Sequence, residues 1–373
     1  MKAAGNSRKK ERRSGRDQLA LVFSSRTAQK ESPHQTLTLK ILPRRMSPFR
    51  LPAVFCQTLF AALILTGCNK SPDGAAQTPG AKTIAVIPKG TTHVFWKSVE
   101  AGAKQAGQEL GVNILWKGPL KENDRAQQIS IVEQFASEGV SGIVLAPLDD
   151  TALRRPVSGA MSKGIPVVII DSSLKGEVGT DFVSYVGTNN KLGGQIAGDQ
   201  LAKLLGGKGK VVLLRYMEGS ASTVERETGF LEAIKKHPEI QMIVDNRFGG
   251  ATASEAQSTA MNIMDELRKA DGIFCSNESL TFGMLLALRQ NNLAGKAKFV
   301  GFDASGPLVE AMKKGEIHSL VAQNPRKMGY MGVKTMVAKM NGETVEPSVD
   351  SGVQLITQEN LNSQEVQDLL KLQ

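Results

Sequence analysis

The stretch GIVLAPLDDTALRRPVSGAMSKGIPVVIID, residues 142–171, holds the fold in miniature. GIVLA (142–146) and VVIID (167–171) are short apolar runs rich in β-branched residues, with no polar alternation. Strands of that kind are buried on both faces, which calls for a parallel sheet covered by helices. Between them, residues 151–163 read as a helix ended by Gly164. A parallel crossover needs about a dozen residues, and this one has them.

The same unit recurs on either side. Upstream, 83–88 (TIAVIP) and 112–116 read as strands, and 95–110 and 125–138 as helices ended by Gly111 and Gly139. Val99, Ala103, Ala106 and Leu110 lie on one stripe of the first helix. The rhythm breaks near Thr188 and then restarts. Residues 190–205, 223–236, 252–267, 280–290 and 307–314 read as helices. Between them, 210–214 (KVVLL), 241–245 (QMIVD), 272–276 (GIFCS), 298–302 (KFVGF) and 319–322 read as strands. Two α/β blocks in tandem predict two similar domains, each a doubly wound parallel sheet. No short repeat runs through the chain, so it is not a solenoid.

Charge is confined to one end. The chain has 373 residues and a formal charge of +10, and residues 1–50 account for all of it, with 13 Lys and Arg against 3 Asp and Glu. Residues 51–373 carry 33 of each sign. Phosphate binding needs a basic face on the folded part, so no nucleic-acid partner is expected. At 41% hydrophobic residues the body has a normal core composition.

Residues 1–45 are polar, basic and aperiodic, and read as a disordered or untranslated leader. Met46 opens a segment with Arg44, Arg45 and Arg50 nearby and an apolar run of 12 residues at 54–65. That run is short of the roughly 20 residues of a membrane-spanning helix and suits a signal-peptide core. Leu65-Thr66-Gly67-Cys68 follows directly and resembles the lipobox of bacterial lipoproteins. The resemblance implies a signal peptide over 46–68, lipidation of Cys68 and membrane attachment through the acyl chains. Asn69 is not Asp, so inner-membrane retention is not indicated. Residues 69–82, rich in Pro, Gly, Ala and Ser, read as a flexible tether. Cys275 then has no partner thiol, and no intrachain disulfide is expected.

In open α/β sheets ligands bind outside the carboxyl ends of the strands. That rule selects 89–96, 148–150, 171–173, 218–227, Asn277, Asp303 and Gln323. Both blocks contribute, which predicts a site in the cleft between domains. No G-x-S-x-G elbow, Walker loop or H-E-x-x-H pattern is present, and GGKGK (206–210) lacks the phosphate-loop spacing. Beyond the leader's His34 only His93, His237 and His318 occur, scattered, so neither a metal site nor a cofactor is expected. Asp171 and Asp303 are a conceivable acid–base pair, but nothing nearby reads as a nucleophile. Binding fits better. Phe95 and Trp96 beside carboxylates, amides and an arginine suit a sugar ring, whose C–H faces stack on aromatics while its hydroxyls pair in the ring plane. Each residue also has an ordinary role: core packing for Phe95 and Trp96, a helix cap for Asp171 and Asn277, a solvated surface for Arg226.

Residues 83–373 as a whole resemble the type I periplasmic solute-binding proteins, and among them the ribose-binding group. TIAVIP with VFWKSVEAGA, GIPVVIIDS, NKLGGQIA, EGSASTVERETGF, SNESLTFG, VGFDA and AQNP match the family's segments in the family's order. The resemblance implies ligand contacts at His93, Phe95, Trp96, Asp171, Arg226, Asn277, Asp303 and Gln323. The ribose group has Asn, Asn and Arg where His93, Ala146 and Ser172 stand, and its second-domain aromatic has no match at 249–251. Those departures argue against assigning ribose. IPK (87–89) and WKGP (116–119) resemble a subgroup of autoinducer-2 and rhamnose binders, in which Lys89 would reach the ligand; an ordinary surface lysine is the competing role.

The family's topology implies crossings near Thr188, 323–324 and Gly352. One domain is then 83–187 with 324–352, and the other 188–323 with 353–373. The implied function is an extracytoplasmic, lipid-anchored, monomeric binding protein for a small sugar or polyol, serving an ABC importer by hinge closure. A sensor of the same fold, feeding a chemoreceptor or kinase, is the alternative. The related lactose-repressor family adds a DNA-binding front where this chain has a signal segment, and an enzyme would need a catalytic constellation that the sequence lacks.

Overall fold

The computed structural model describes residues 80–371; the leader, the signal segment, Cys68 and most of the tether lie outside the described residues. The first half of the chain runs β1 (Thr83–Ile87), α1 (Val94–Leu110), β2 (Asn113–Trp116), α2 (Arg125–Glu138), β3 (Gly142–Leu145), α3 (Arg154–Ser162), β4 (Val167–Ile170) and β5 (Ser184–Gly187). It continues through α4 (Asn190–Leu205), β6 (Lys208–Arg215), α5 (Ala221–Ile234), β7 (Glu239–Phe248), α6 (Ala253–Asn262), α7 (Met264–Leu267), β8 (Gly272–Cys275) and α8 (Glu278–Gln290). The last part is β9 (Lys298–Phe302), α9 (Gly306–Lys313), β10 (Ser319–Gln323), α10 (Pro325–Met340), β11 (Ser348–Asp350), β12 (Val353–Thr357) and α11 (Gln364–Lys371).

Two six-stranded sheets result, ordered β2-β1-β3-β4-β5-β11 and β7-β6-β8-β9-β10-β12. The expected pair of doubly wound α/β domains is therefore present. Every pairing is parallel except β10 with β12, which is antiparallel. The first five strands of each sheet repeat the same order, so each sheet reverses winding beside its first strand, at β1/β3 and at β6/β8. Those are the topological switch points where such folds form their ligand crevices.

One buried side chain pins each switch point. Gln128 of α2 donates from Nε2 to the carbonyls of Pro88 and Ala146, at 3.0 and 2.8 Å, and accepts from the Leu148 amide. In the second sheet, Glu227 of α5 accepts from the Tyr216 amide at 2.9 Å and from the Ser276 hydroxyl at 3.0 Å. Both bridge the carboxyl end of a first strand to that of a third.

Helix packing relies on close backbone approach. A Cβ on Gly194 of α4 would overlap the carbonyl oxygen of Arg226 in α5, and one on Gly229 of α5 would overlap that of Lys191. Gly102 of α1 and Gly329 of α10 play the same part against Arg326 and Val99.

Some elements escape the apolar pattern. β5 is only SYVG, too short and too polar to register. Residues 252–267 read as one helix but break at Ile263, whose φ of −113° leaves the helical range. Beyond Ala322 the apolar pattern assigns nothing, yet α10, β11, β12 and α11 follow. α10 does carry a start signal, Asn324 accepting from the Lys327 amide with Pro325 next in the chain.

Candidate functional site

All eight side chains selected from the sequence line one cleft between the two sheets. His93, Phe95, Trp96, Asp171, Arg226, Asn277, Asp303 and Gln323 face it together with Lys89, Glu122, Tyr216, Ser220, Ser222, Thr223 and Glu278. The free space among them is about 30 Å³, room for little more than a water molecule, so the cleft is nearly closed. His93, Phe95 and Trp96 follow β1, and Asp171 follows β4. Arg226 comes from α5, Asn277 from the start of α8, Asp303 follows β9, and Gln323 ends β10.

Two aspartates mark the same turn in both lobes. Asp171 and Asp303 each follow the fourth strand of their sheet and adopt left-handed backbone, φ 64° and 70°. Only three non-glycine residues among those described do so. The conformation costs on the order of 1 kcal/mol even for Asp. In return both carboxylates turn into the cleft. Asp171 accepts from Lys89 Nζ at 2.8 Å. Asp303 accepts from Gln323 Nε2 at 2.7 Å and from the Glu278 amide at 2.8 Å. Asp171 caps no helix, whereas Asn277 does, its Oδ1 accepting from the Leu280 amide at 3.1 Å.

Arg226 is not the solvated arginine its helix position implies. It is 2% exposed. Its Nε donates to Asn190 Oδ1 at 2.9 Å and its Nη1 to the Ser276 carbonyl at 3.1 Å. Its guanidinium carbon lies 4.0 Å from the centre of the Phe302 ring. Lys89, as a lone lysine after a strand, reads as a surface residue, and the structure corrects this: it is buried. Besides Asp171 it reaches Ser222 Oγ at 3.0 Å and Ser220 Oγ at 3.5 Å, on the second lobe.

Phe95 and Trp96 meet edge to face, ring centres 4.9 Å apart, and belong to the first lobe's core as well as to the cleft. Core packing and site lining are one role here.

Sequence reasoning misses Glu122, Tyr216 and Glu278. Tyr216 directly follows β6 and satisfies the strand-end rule. Glu122 sits in a charged loop, LKEND (120–124), where only tertiary approach buries it. Its Oε1 accepts from His93 Nδ1 at 2.6 Å and Trp96 Nε1 at 2.7 Å, and its Oε2 from the Tyr216 hydroxyl at 2.7 Å. Burial pushes the Tyr216 phenol well above its usual range, so it stays a donor.

His93 and Glu122 form one buried ion pair. Burial opposes charge on the imidazole, but the charge and hydrogen bond of Glu122, aided by Glu278 and Asp303, carry His93 up to about 9. Burial likewise opposes charge on Glu122, but His93, Lys89 and the Tyr216 hydroxyl hold it down to about 2. Burial raises Asp303, against the opposing charge of Arg226. Burial and the neighbouring Asp303 raise Glu278.

The ion pair has a signature in stability. A histidine raised from 6.5 to about 9 contributes fully below pH 6.5, and loses that contribution as pH climbs through 9. A glutamate lowered from 4.5 to about 2 contributes fully above pH 4.5, and loses it as pH falls through 2. The pair's full contribution to stability therefore spans pH 4.5 to 6.5. His93→Asn should flatten the alkaline limb of the stability curve by on the order of 2–3 kcal/mol. Urea melts of both proteins at pH 6 and pH 9.5 test this; an equal loss in both excludes the pair as its source.

Comparison with known proteins places this geometry. A family model described as periplasmic binding protein domain matches residues 84–344. The ribose import binding protein of Haemophilus influenzae is 28% identical over 305 residues, covering 81% of this chain and 99% of the relative. The D-ribose/D-allose-binding protein of Pseudomonas aeruginosa is 29% identical over 316 residues, covering 82% and 98%. Among solved structures, a carbohydrate transporter solute-binding protein from Agrobacterium radiobacter in complex with D-arabinose superposes with a TM-score of 0.75 at 34% identity, covering 79% and 100%. An ABC transporter solute-binding protein from Agrobacterium vitis with bound D-fucose gives 0.74 at 32%, covering 77% and 99%.

Proposed function

We propose that this chain, which belongs to the periplasmic binding protein domain family, captures a small sugar in the cleft between its two lobes and delivers it to an ABC importer. It is a binding protein and not an enzyme. The observation that carries the sugar assignment is the paired left-handed aspartates, Asp171 and Asp303, set across one cleft with Arg226 and the Phe95–Trp96 edge. Carboxylates, a guanidinium and amides pair with ring hydroxyls, while an aromatic face takes the C–H side. His93, Phe95, Trp96, Asp171, Arg226, Asn277, Asp303 and Gln323 are the proposed contacts. The departures at His93, Ala146 and Ser172 argue against ribose and leave the cargo as a small sugar or polyol.

The lobes are taken as 83–187 with 324–352 and 188–323 with 353–373. Ligand bridging them shifts the hinge toward closure by its greater affinity for the closed form. Cys68 is the proposed lipid attachment, with the monomer facing the periplasm or cell surface.

A thermal-shift screen of residues 70–373 against pentoses, hexoses, deoxysugars, polyols and autoinducer-2 tests the cargo. A ligand at 100 times its Kd stabilises by about 2.7 kcal/mol, enough for a clear rise in melting temperature. No rise with any sugar, from protein unfolded and refolded to strip retained ligand, overturns the sugar assignment. For the anchor, Cys68→Ala should move the protein from the membrane fraction to the soluble one, and unchanged fractionation rejects it.

A further inference from the structure

Asp303 has both oxygens engaged within its own lobe, by Gln323 and by the Glu278 amide. Glu122 is engaged from both lobes. Both of its oxygens are committed to protein donors, Oε1 to His93 and Trp96 and Oε2 to Tyr216. Glu122, His93 and Trp96 belong to the first lobe, carried by the loop after β2 and by the segment after β1. Tyr216 belongs to the second, at the end of β6. The Tyr216 hydroxyl at 2.7 Å is therefore a bond between lobes made without any ligand atom.

We propose that the Glu122–Tyr216 bond is a clasp that holds the cleft partly closed by itself, and that Glu122 is the positioning residue for the Trp96 and His93 wall. Three features support it. Both partners are buried, so the bond is shielded from competing water. A phenol donating to a carboxylate is a charge-assisted bond, stronger than a neutral pair. Tyr216 is also held at its backbone, its amide donating to buried Glu227 at 2.9 Å, so the ring is presented from a fixed base.

The consequence for binding follows from populations. Apparent affinity equals intrinsic affinity scaled by the fraction of protein already competent to bind. A clasp raises that fraction without touching the ligand. Glu122 and Tyr216 would thus set affinity while leaving the order of preference among sugars to the other residues.

Three backbone amides report closure directly, because each donates across the cleft. Phe95 donates to Glu278 at 3.3 Å, Ser222 to Ser172 Oγ at 3.1 Å and Asp150 to the Gly219 carbonyl at 2.9 Å. The test is hydrogen exchange on the full chain without sugar, comparing wild type with Tyr216→Phe, which removes one oxygen and keeps the ring. The clasp predicts exchange about tenfold faster at these amides, with those inside β1, β3, β6 and β8 unchanged. Glu122→Gln, a second variant that keeps the shape, should do the same and also shift the tryptophan fluorescence as Trp96 loses its carboxylate partner. Unchanged exchange at the three amides in both variants overturns the clasp. Faster exchange throughout also overturns it, since that marks a general structural role.

This readout stands apart from the sugar assignment. Only a second measurement rests on the proposed function: Tyr216→Phe should weaken every bound sugar by a similar factor, up to about tenfold. Loss of preference for one sugar alone would make Tyr216 a ligand contact and not a clasp.

Discussion

Arg226→Met should weaken sugar binding by at least a hundredfold. The guanidinium is held from the rear by Asn190 Oδ1 and the Ser276 carbonyl and lies against the Phe302 ring. A planar group fixed in this way presents its remaining donors to the cleft with little rotamer entropy left to lose. Each charged hydrogen bond to a ligand is worth about 1.5–3 kcal/mol, so two lost bonds amount to roughly 10²–10⁴ in Kd. Asp303 adds to the loss, because Arg226 is the cation that offsets its burial. Arg226→Lys should recover little, since an ammonium cannot occupy both the Asn190 and Ser276 positions as a fork does. Calorimetric titration of the three proteins with the sugar found by the thermal screen checks this. Affinity within threefold of wild type for the Met variant would remove Arg226 from the site.

Gly194→Val should cost about 3 kcal/mol of stability, the upper end of what overpacking does. The added Cβ would run into the Arg226 carbonyl oxygen, and no rotamer change can relieve a collision with backbone. The helices must part, and the face that parts carries both Asn190 and Arg226. Binding should therefore fall together with stability. Gly159→Ala is the matched control. Gly159 also lies in a helix, α3, but a Cβ there meets nothing within 4 Å. Helix propensity then favours alanine, by up to about 1 kcal/mol. If denaturant melts show the two variants alike, close backbone packing is not what Gly194 provides.

The fold was legible because parallel strands buried on both faces announce themselves as unbroken apolar runs. VVII and GIVL are wholly buried, and both were readable without context. SYVG was not, since Ser184 and Gly187 interrupt the pattern and its partner β11 arrives from a distant part of the chain. Strand-end polar residues were legible for the same topological reason. What sequence cannot display is burial produced by approach. Lys89 and Glu122 look like any charged loop residues until Asp171, His93, Trp96 and Tyr216 close around them. Arg226 has a solvated surface as its ordinary role in a helix, because the groups that enclose its guanidinium, Asn190, the Ser276 carbonyl and the Phe302 ring, come from distant parts of the chain.

Gln323 occupies two places at once. It donates to Asp303 in the cleft at 2.7 Å and accepts from Thr188 Oγ1 at 2.9 Å. The Thr188 oxygen also lies 3.2 Å from that of Ser351. Thr188, Gln323 and Ser351 stand one on each of the three strands of chain that pass between the sheets. The crossings between the sheets are thus bonded to a side chain of the cleft. Under the proposed contact of Asp303 with a ligand, load on Asp303 would pass through the Gln323 amide to these crossings, and grip and opening rate would be linked quantities.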